Sequence, residues 1–307
     1  MTYIIQTNNL SKVYEGKAAV STINMSVKKG EIYGLIGPNG AGKTTIMKMM
    51  MNLIKPTSGE ILIFGEKVTP YSYEILKRIG SVIENPVFYD KLTARENLQL
   101  HCENMGYYNS DAIDATLQKV QLKNMEGETV KNLSLGMKQR LGLARAIITK
   151  PEILILDEPT NGLDPVGMKE LRNLFQMLSE DYGMTLLVSS HMLGEVEKIA
   201  DTIGVIKDGM LLEEIQMESV RLQNAEFIDL RTDDVKKAVY VLHEEMHISN
   251  FKIMDDHTIR IYDMKMSQGE MTKILVLKGV LVESIHKKDH SLEDYFLNMI
   301  QGGGISV

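Results

Sequence analysis

Residues 37–44 read Gly37-Pro38-Asn39-Gly40-Ala41-Gly42-Lys43-Thr44, a complete match to the spacing G-x-x-x-x-G-K-[ST]. Each residue type answers a need of phosphate binding. Glycines let the backbone curl until successive N–H groups face one anion. The helix that follows adds the positive end of its dipole, with Lys43 to reach the outer phosphates and the Thr44 hydroxyl to hold Mg²⁺. Thr45 completes the set of nucleotide contacts at the helix start. A second group with chemical capacity stands at 157–158, where the apolar run Ile153-Leu154-Ile155-Leu156 ends in Asp157-Glu158. Ligands of parallel sheets gather at the carboxyl ends of strands, so both acids should emerge beside the phosphate loop. Side chains alternate along a strand, so the two acids cannot point the same way. We assign Asp157 to the metal and Glu158, as general base, to the water that attacks the terminal phosphate. The plain alternative is an acidic pair that ends a strand in solvent; the neighbouring phosphate loop is what favours chemistry.

These groups need a scaffold that brings strand ends together. The apolar run at 32–36 leads into the loop, and residues 44–53 carry Ile46, Met47, Met50 and Leu53 as a helical stripe. Pro56-Thr57-Ser58-Gly59 breaks that helix before a strand at 61–64. Helical spacing returns at 93–105, 111–120, 137–149 and 169–178, and a buried strand at 185–188 ends in Ser189-Ser190-His191. Strands alternating with helices predict a largely parallel α/β sheet. Past Gly209 the texture changes. A polar connector at 213–224 precedes strand 227–230, helix 233–245, strands 248–254 and 258–262, helix 267–277 and strand 280–285. That order, β-α-β-β-α-β, predicts a ferredoxin-like α+β domain. A last helix at 291–300 opens on Ser291 with Glu293 and Asp294 in its first turn. The organisation we expect is a nucleotide-binding domain at 1–214 with a helical subdomain at about 85–150, a linker at 215–225 and an accessory domain at 226–307.

Composition narrows the function. A formal charge of −7 over 307 residues argues against an electrostatic nucleic-acid binder. The single cysteine, Cys102, excludes an intrachain disulfide and a thiolate zinc cluster, and its polar surroundings suggest an inert surface or half-buried thiol. His243, His247, His257, His286 and His290 are too dispersed to suggest a metal site. No run approaches the ~20 apolar residues needed to cross a bilayer, and Met1-Thr2-Tyr3-Ile4-Ile5 lacks the marks of a secretory signal. A cytoplasmic protein is expected.

Phosphate loops serve kinases, GTPases, helicases and transport ATPases alike, so another feature must choose. Leu133-Ser134-Leu135-Gly136-Met137-Lys138-Gln139-Arg140 resembles the signature segment of ATP-binding cassette (ABC) ATPases, and the stretch 139–165 is similar to that family almost residue for residue. The resemblance covers about residues 3–214. It implies a P-loop cassette fold and a head-to-tail dimer, formed with a second copy or another cassette. Two ATPs would be sandwiched there, each between one chain's phosphate loop and Ser134 and Gly136 of the other. By the same resemblance Asn161-Gly162-Leu163-Asp164 crosses the dimer interface, His191 touches the γ-phosphate and Tyr14 stacks on adenine. Two departures stand out. The signature reads Ser134-Leu135-Gly136-Met137 where the family has Ser-Gly-Gly-Gln, and Glu84 takes the place of a glutamine that senses Mg²⁺ and couples the ATPase to its membrane partner. A glutamate only accepts hydrogen bonds whereas glutamine also donates, so Glu84 is a candidate metal ligand with altered coupling, or else simply a loop acid. The acid excess and single phosphate loop favour the ATPase of a transporter with separate membrane-spanning subunits over a soluble cassette acting on DNA or ribosomes. Glu84, with Ser190-His191-Met192-Leu193-Gly194-Glu195-Val196-Glu197, resembles the cassettes of bacitracin-resistance and lantibiotic-immunity exporters. Another drug, lipid or polysaccharide exporter is the alternative, and either would seat the chain peripherally on the inner face of the membrane.

Overall fold

Glu15 and Gly16 both lie at positive φ, 46° and 83°, the backbone that a two-residue hairpin turn needs. They join β1 (Tyr3–Tyr14) to β2 (Lys17–Lys28). The chain continues through β3 (Ile32–Ile36), α1 (Lys43–Met50), β4 (Ser58–Ile63), β5 (Glu66–Lys67), α2 (Tyr73–Leu76) and β6 (Ile79–Val82). Next come α3 (Ala94–Met105), α4 (Ser110–Lys119), α5 (Leu135–Ile147), β7 (Ile153–Asp157) and α6 (Pro165–Glu180). β8 (Thr185–Ser190), α7 (Leu193–Val196), β9 (Thr202–Lys207) and β10 (Met210–Gln216) complete the first of two units, Met1–Met217; the second is Glu218–Val307. The computed structural model describes residues 2–125, 127–218, 227–263 and 266–288.

Two sheets build the first unit. One is antiparallel, in the order β2-β1-β4-β5; the other runs β10-β9-β3-β8-β7-β6, with β9 through β6 parallel and β10 antiparallel at the edge. β7 shows why its residues do not alternate in polarity. Ile153 and Ile155 pack into a core with Ile46, Met47 and Met50 of α1 and with Ile5, Leu10 and Ile23 of the hairpin. Leu154 and Leu156 face the opposite core, against Leu141 and Ala144 of α5 and Leu171 and Phe175 of α6. A strand covered on both faces must be apolar throughout, and each such side chain contributes about 1.5–3 kcal/mol by burial. The strand order sets β8 between β3 and β7. Their carboxyl ends therefore deliver Gly37, Asp157 and Ser190-His191 to one edge of the sheet.

Several boundaries differ from the periodicity. α1 ends at Met50 rather than 53, and α5 begins at Leu135 because Ser134 accepts the Met137 amide at 3.3 Å. α6 starts at Pro165, four residues before its apolar stripe, since Asp164 accepts the Gly167 amide at 2.8 Å and proline fits the first helical turn. Cys102 is neither on the surface nor half-buried. It is 5% exposed, one turn from Leu98 on the inward face of α3. No helix among the described residues is long and apolar enough to cross a membrane.

The second unit contains β11 (Phe227–Thr232), α8 (Val235–Tyr240), which runs on into a π-helical turn (Val241–Glu245), β12 (Phe251–Ile253), β13 (Thr258–Ile261), α9 (Gln268–Leu277) and β14 (Val282–Lys288). Its sheet runs β12-β13-β11-β14 with every pair antiparallel, around a core of Ile228, Leu230, Leu242, Ile259 and Leu275. The helix expected at 291–300 and most of the connector at 215–225 lie outside the described residues.

Candidate nucleotide site

The loop after β3 packs tightly at two of its glycines, Gly37 and Gly42, where nothing larger fits. A Cβ on Gly37 would stand 2.2 Å from the Ile206 carbonyl oxygen. Gly42, the N-cap of α1, has φ 106°, and a Cβ there would stand 2.6 Å from the Ala19 carbonyl oxygen. Lys43 follows at the first turn of α1 and is 5% exposed. Its Nζ donates to the Gly37 carbonyl at 2.7 Å and to the Pro38 carbonyl at 3.3 Å, and pairs with Glu158 Oε1 at 3.2 Å. A buried ammonium is tolerated only with such partners. All three are oxygens whose place the oxygens of a phosphate could take.

Thr44 Oγ1 donates to Asp157 Oδ2 at 2.7 Å, tying the start of α1 to the end of β7. The other Asp157 oxygen, Oδ1, accepts from Ser189 Oγ at 2.5 Å, and the same Ser189 Oγ accepts the Glu158 amide at 2.9 Å. Glu158 leaves the strand with φ 49°, an uncommon backbone for a residue with a side chain. That turn sends its carboxylate away from Asp157. Oε2 is 2.8 Å from His191 Nδ1, and Oε1 has the Lys43 ion pair but no hydrogen bond. A carboxylate only accepts, so Nδ1 is the donor and Nε2 is the ring nitrogen left for a ligand. The Thr44–Asp157 pair offers hard oxygen donors alone, the set that Mg²⁺ prefers.

Gly37 to Thr44, Asp157, Glu158 and His191 thus form one continuous constellation, with Thr45 next on α1. Glu84 does not join it. Its side chain is 63% exposed and pairs with Lys48 Nζ at 2.6 Å. Lys48 lies one helical turn beyond Thr44 on the same face, so the carboxylate is spent on a lysine instead of on the Thr44–Asp157 pair. Tyr14 ends β1, 45% exposed, with Lys12 Nζ 4.9 Å from its ring centroid. Ser134 and Gly136 sit at the start of α5. There a Cβ on Gly136 would stand 3.1 Å from Leu163, and one on Gly162 2.7 Å from Leu135, so the 134–137 and 161–164 segments pack together within one chain. Leu135, which replaces a glycine, is 54% exposed at this tip. Ser189 is the participant that sequence reasoning left without a role. Its signal was a pair of hydroxyls closing an otherwise apolar strand.

Comparison with known proteins identifies the family. The ABC transporter family profile matches residues 20–161. The chain is 61% identical over 307 residues to YcbN, an ABC transporter ATP-binding protein of Bacillus subtilis strain 168, covering 100% of each. It is 45% identical over 305 residues to the bacitracin transport ATP-binding protein BcrA of Bacillus licheniformis, covering 99% of this chain and 100% of that one. Among solved structures, the dimeric post-hydrolysis state of the cassette MJ0796 bound to ADP and phosphate is similar with a TM-score of 0.64 and 27% identity. That match covers 69% of this chain and 98% of the other.

Proposed function

Because this chain belongs to the ABC transporter ATP-binding family, as an ATPase coupled to transport, we propose that it powers export of a peptide antibiotic of the bacitracin or lantibiotic type through separate membrane-spanning subunits. The observation that carries the cargo is the extent of the likeness to the bacitracin transport protein. It spans 99% of this chain, hence the second unit as well as the cassette, whereas the solved cassette covers 69%.

Within the site, Lys43 and the amides of residues 37–42 hold the phosphates of ATP. Thr44 and Asp157 hold Mg²⁺, which when bound offsets charge on the phosphate oxygens. Glu158, released from Lys43 as that ammonium turns to phosphate, takes the proton of the attacking water, and His191 keeps it oriented. Catalysis here is positioning and electrostatics with no covalent step. Tyr14 lies against adenine. Ser134 and Gly136 complete the site of a second cassette, for which the exposed tip at Leu135 is suited.

The permease contact fits a groove of about 420 Å³ lined by Val87, Tyr89, His101 and Arg145. Val87 and Tyr89 are 80% and 64% exposed. Arg145 donates to the Val87 carbonyl at 2.8 Å and stands over the Phe88 ring. The other six described arginines pair with Glu152, Asp114, Glu170, Glu195, Glu283 and Asp229, and Arg145 alone has no carboxylate. Seated on such a partner, the chain lies on the inner face of the membrane. The test is bacitracin sensitivity of cells carrying the chain and its membrane partner. Protection should vanish with Lys43→Ala, while protection retained by that variant, or none in the parent, overturns the reading.

A further inference from the structure

We propose that Ser189 is the positioning residue that holds both acids of the site, setting the Asp157 carboxylate for the metal and the Glu158 backbone for catalysis. The inference rests on the roles given to Asp157 and Glu158 above and deepens them. Ser189 is completely buried, and its register partner on β7 is Asp157. A serine hydroxyl has one proton to give and two lone pairs. Here the proton goes to Asp157 Oδ1 at 2.5 Å, and a lone pair takes the Glu158 N–H at 2.9 Å. With Oδ1 so occupied, Oδ2 is the oxygen turned to the Thr44 hydroxyl. With its amide held, Glu158 keeps the left-handed backbone, φ 49°, that carries its side chain past the strand end to Lys43 and His191. Two positions further along the chain is His191 itself, so one buried hydroxyl is bonded to the metal carboxylate and to the base, and the base in turn meets the histidine.

Removing the oxygen leaves the part-buried Glu158 amide without its acceptor and the buried Asp157 Oδ1 without its donor. Neither of the two lost bonds is made by Lys43 or by the amides of residues 37–42. The effect should therefore fall on turnover rather than on ATP binding. Ser189→Ala is expected to lower kcat by about 10- to 100-fold through misplacement of the acids, with KM for ATP within about threefold on the same ground. In the same variant the Mg²⁺ concentration that half-saturates the ATP-induced rise in melting temperature should increase several-fold, a readout independent of turnover. Thr185→Ala is the matched control. Thr185 is also fully buried on β8, and its hydroxyl accepts the Gly30 amide at 2.8 Å at the strand's other end. It should lose comparable stability yet keep kcat within about twofold, since its lost bond is remote from the reacting atoms. Ser189→Ala behaving like Thr185→Ala in kcat and in Mg²⁺ dependence overturns the proposal. Failure of the underlying roles shows separately, as normal turnover in Asp157→Asn or Glu158→Gln.

Discussion

The variant Glu158→Gln keeps the size and reach of the side chain while removing its charge, and two consequences can be worked from its contacts. The first concerns turnover. A general base contributes about 10²- to 10⁴-fold, so phosphate release per site should fall by that range. The second concerns ATP affinity. The Lys43–Glu158 pair at 3.2 Å has a gross Coulomb energy of about 5 kcal/mol at an effective dielectric near 20. Most of it is offset by the cost of burying both charges, since the side chains are 5% and 17% exposed. Phosphate must compete with Glu158 for the lysine, so a net ~1 kcal/mol released by the substitution tightens ATP about fivefold. Single-turnover phosphate release and equilibrium binding of a fluorescent ATP analogue measure the two effects on the same preparation. Turnover at the parent rate would refute the base assignment, and weakened ATP binding would refute the competition between Glu158 and phosphate for Lys43.

Other expectations follow from the packing and the charges. Burial, then the Arg145 charge, push the His101 imidazole below its usual value, so the fold prefers the neutral ring. Its contribution is present above the unfolded value near 6.5 and is lost as pH falls below it; urea midpoints from pH 8 to 5 should decline less in His101→Gln, and an unchanged slope would contradict this. Gly80→Ala places a Cβ 2.1 Å from the Ala146 carbonyl oxygen, forcing β6 away from α5. A loss of about 1–3 kcal/mol should appear as a melting temperature several degrees lower. Glu84→Gln breaks only an exposed pair with Lys48, so stability should move by less than about 1 kcal/mol. Protection against bacitracin should nonetheless change, and protection identical to the parent would remove any coupling role for Glu84.

Where a residue's role is fixed by a local rule, the sequence alone exposes it. The phosphate loop needs its glycines at set spacing, and Asp157-Glu158 ends an apolar run, so the acids are expected beside the loop from spacing alone, whereas the role of His191 rests on the family resemblance. Three kinds of feature were not legible. The β1–β2 hairpin was missed because its alternation is broken by register shifts between Thr7 and Leu10 and between Leu10 and Lys12, which scramble a period-two pattern. Starts of helices lay upstream of their apolar stripes, since capping by Ser134 and Asp164 decides them and stripes report only the packed turns. Cross-strand contacts were invisible in principle. That Ser189 meets Asp157, and that Glu84 spends its charge on Lys48, depends on which strands and helices become neighbours, and no spacing along the chain encodes that. Positive φ at Glu158 and Glu84, 49° and 62°, belongs to the same class, because non-glycine residues adopt it only when the surroundings demand it.

Enclosure of ATP between two such cassettes, with the phosphate loop of one facing Ser134 and Gly136 of the other, requires a dimer that forms only with nucleotide. Light scattering of Glu158→Gln protein, with and without ATP and Mg²⁺, tests it most directly. We predict a mass near 34.6 kDa without nucleotide and about double with it, with the doubling abolished by a further Ser134→Arg substitution at the exposed tip. A mass that stays monomeric at saturating ATP, or a dimer indifferent to both ATP and Ser134, would contradict the claim.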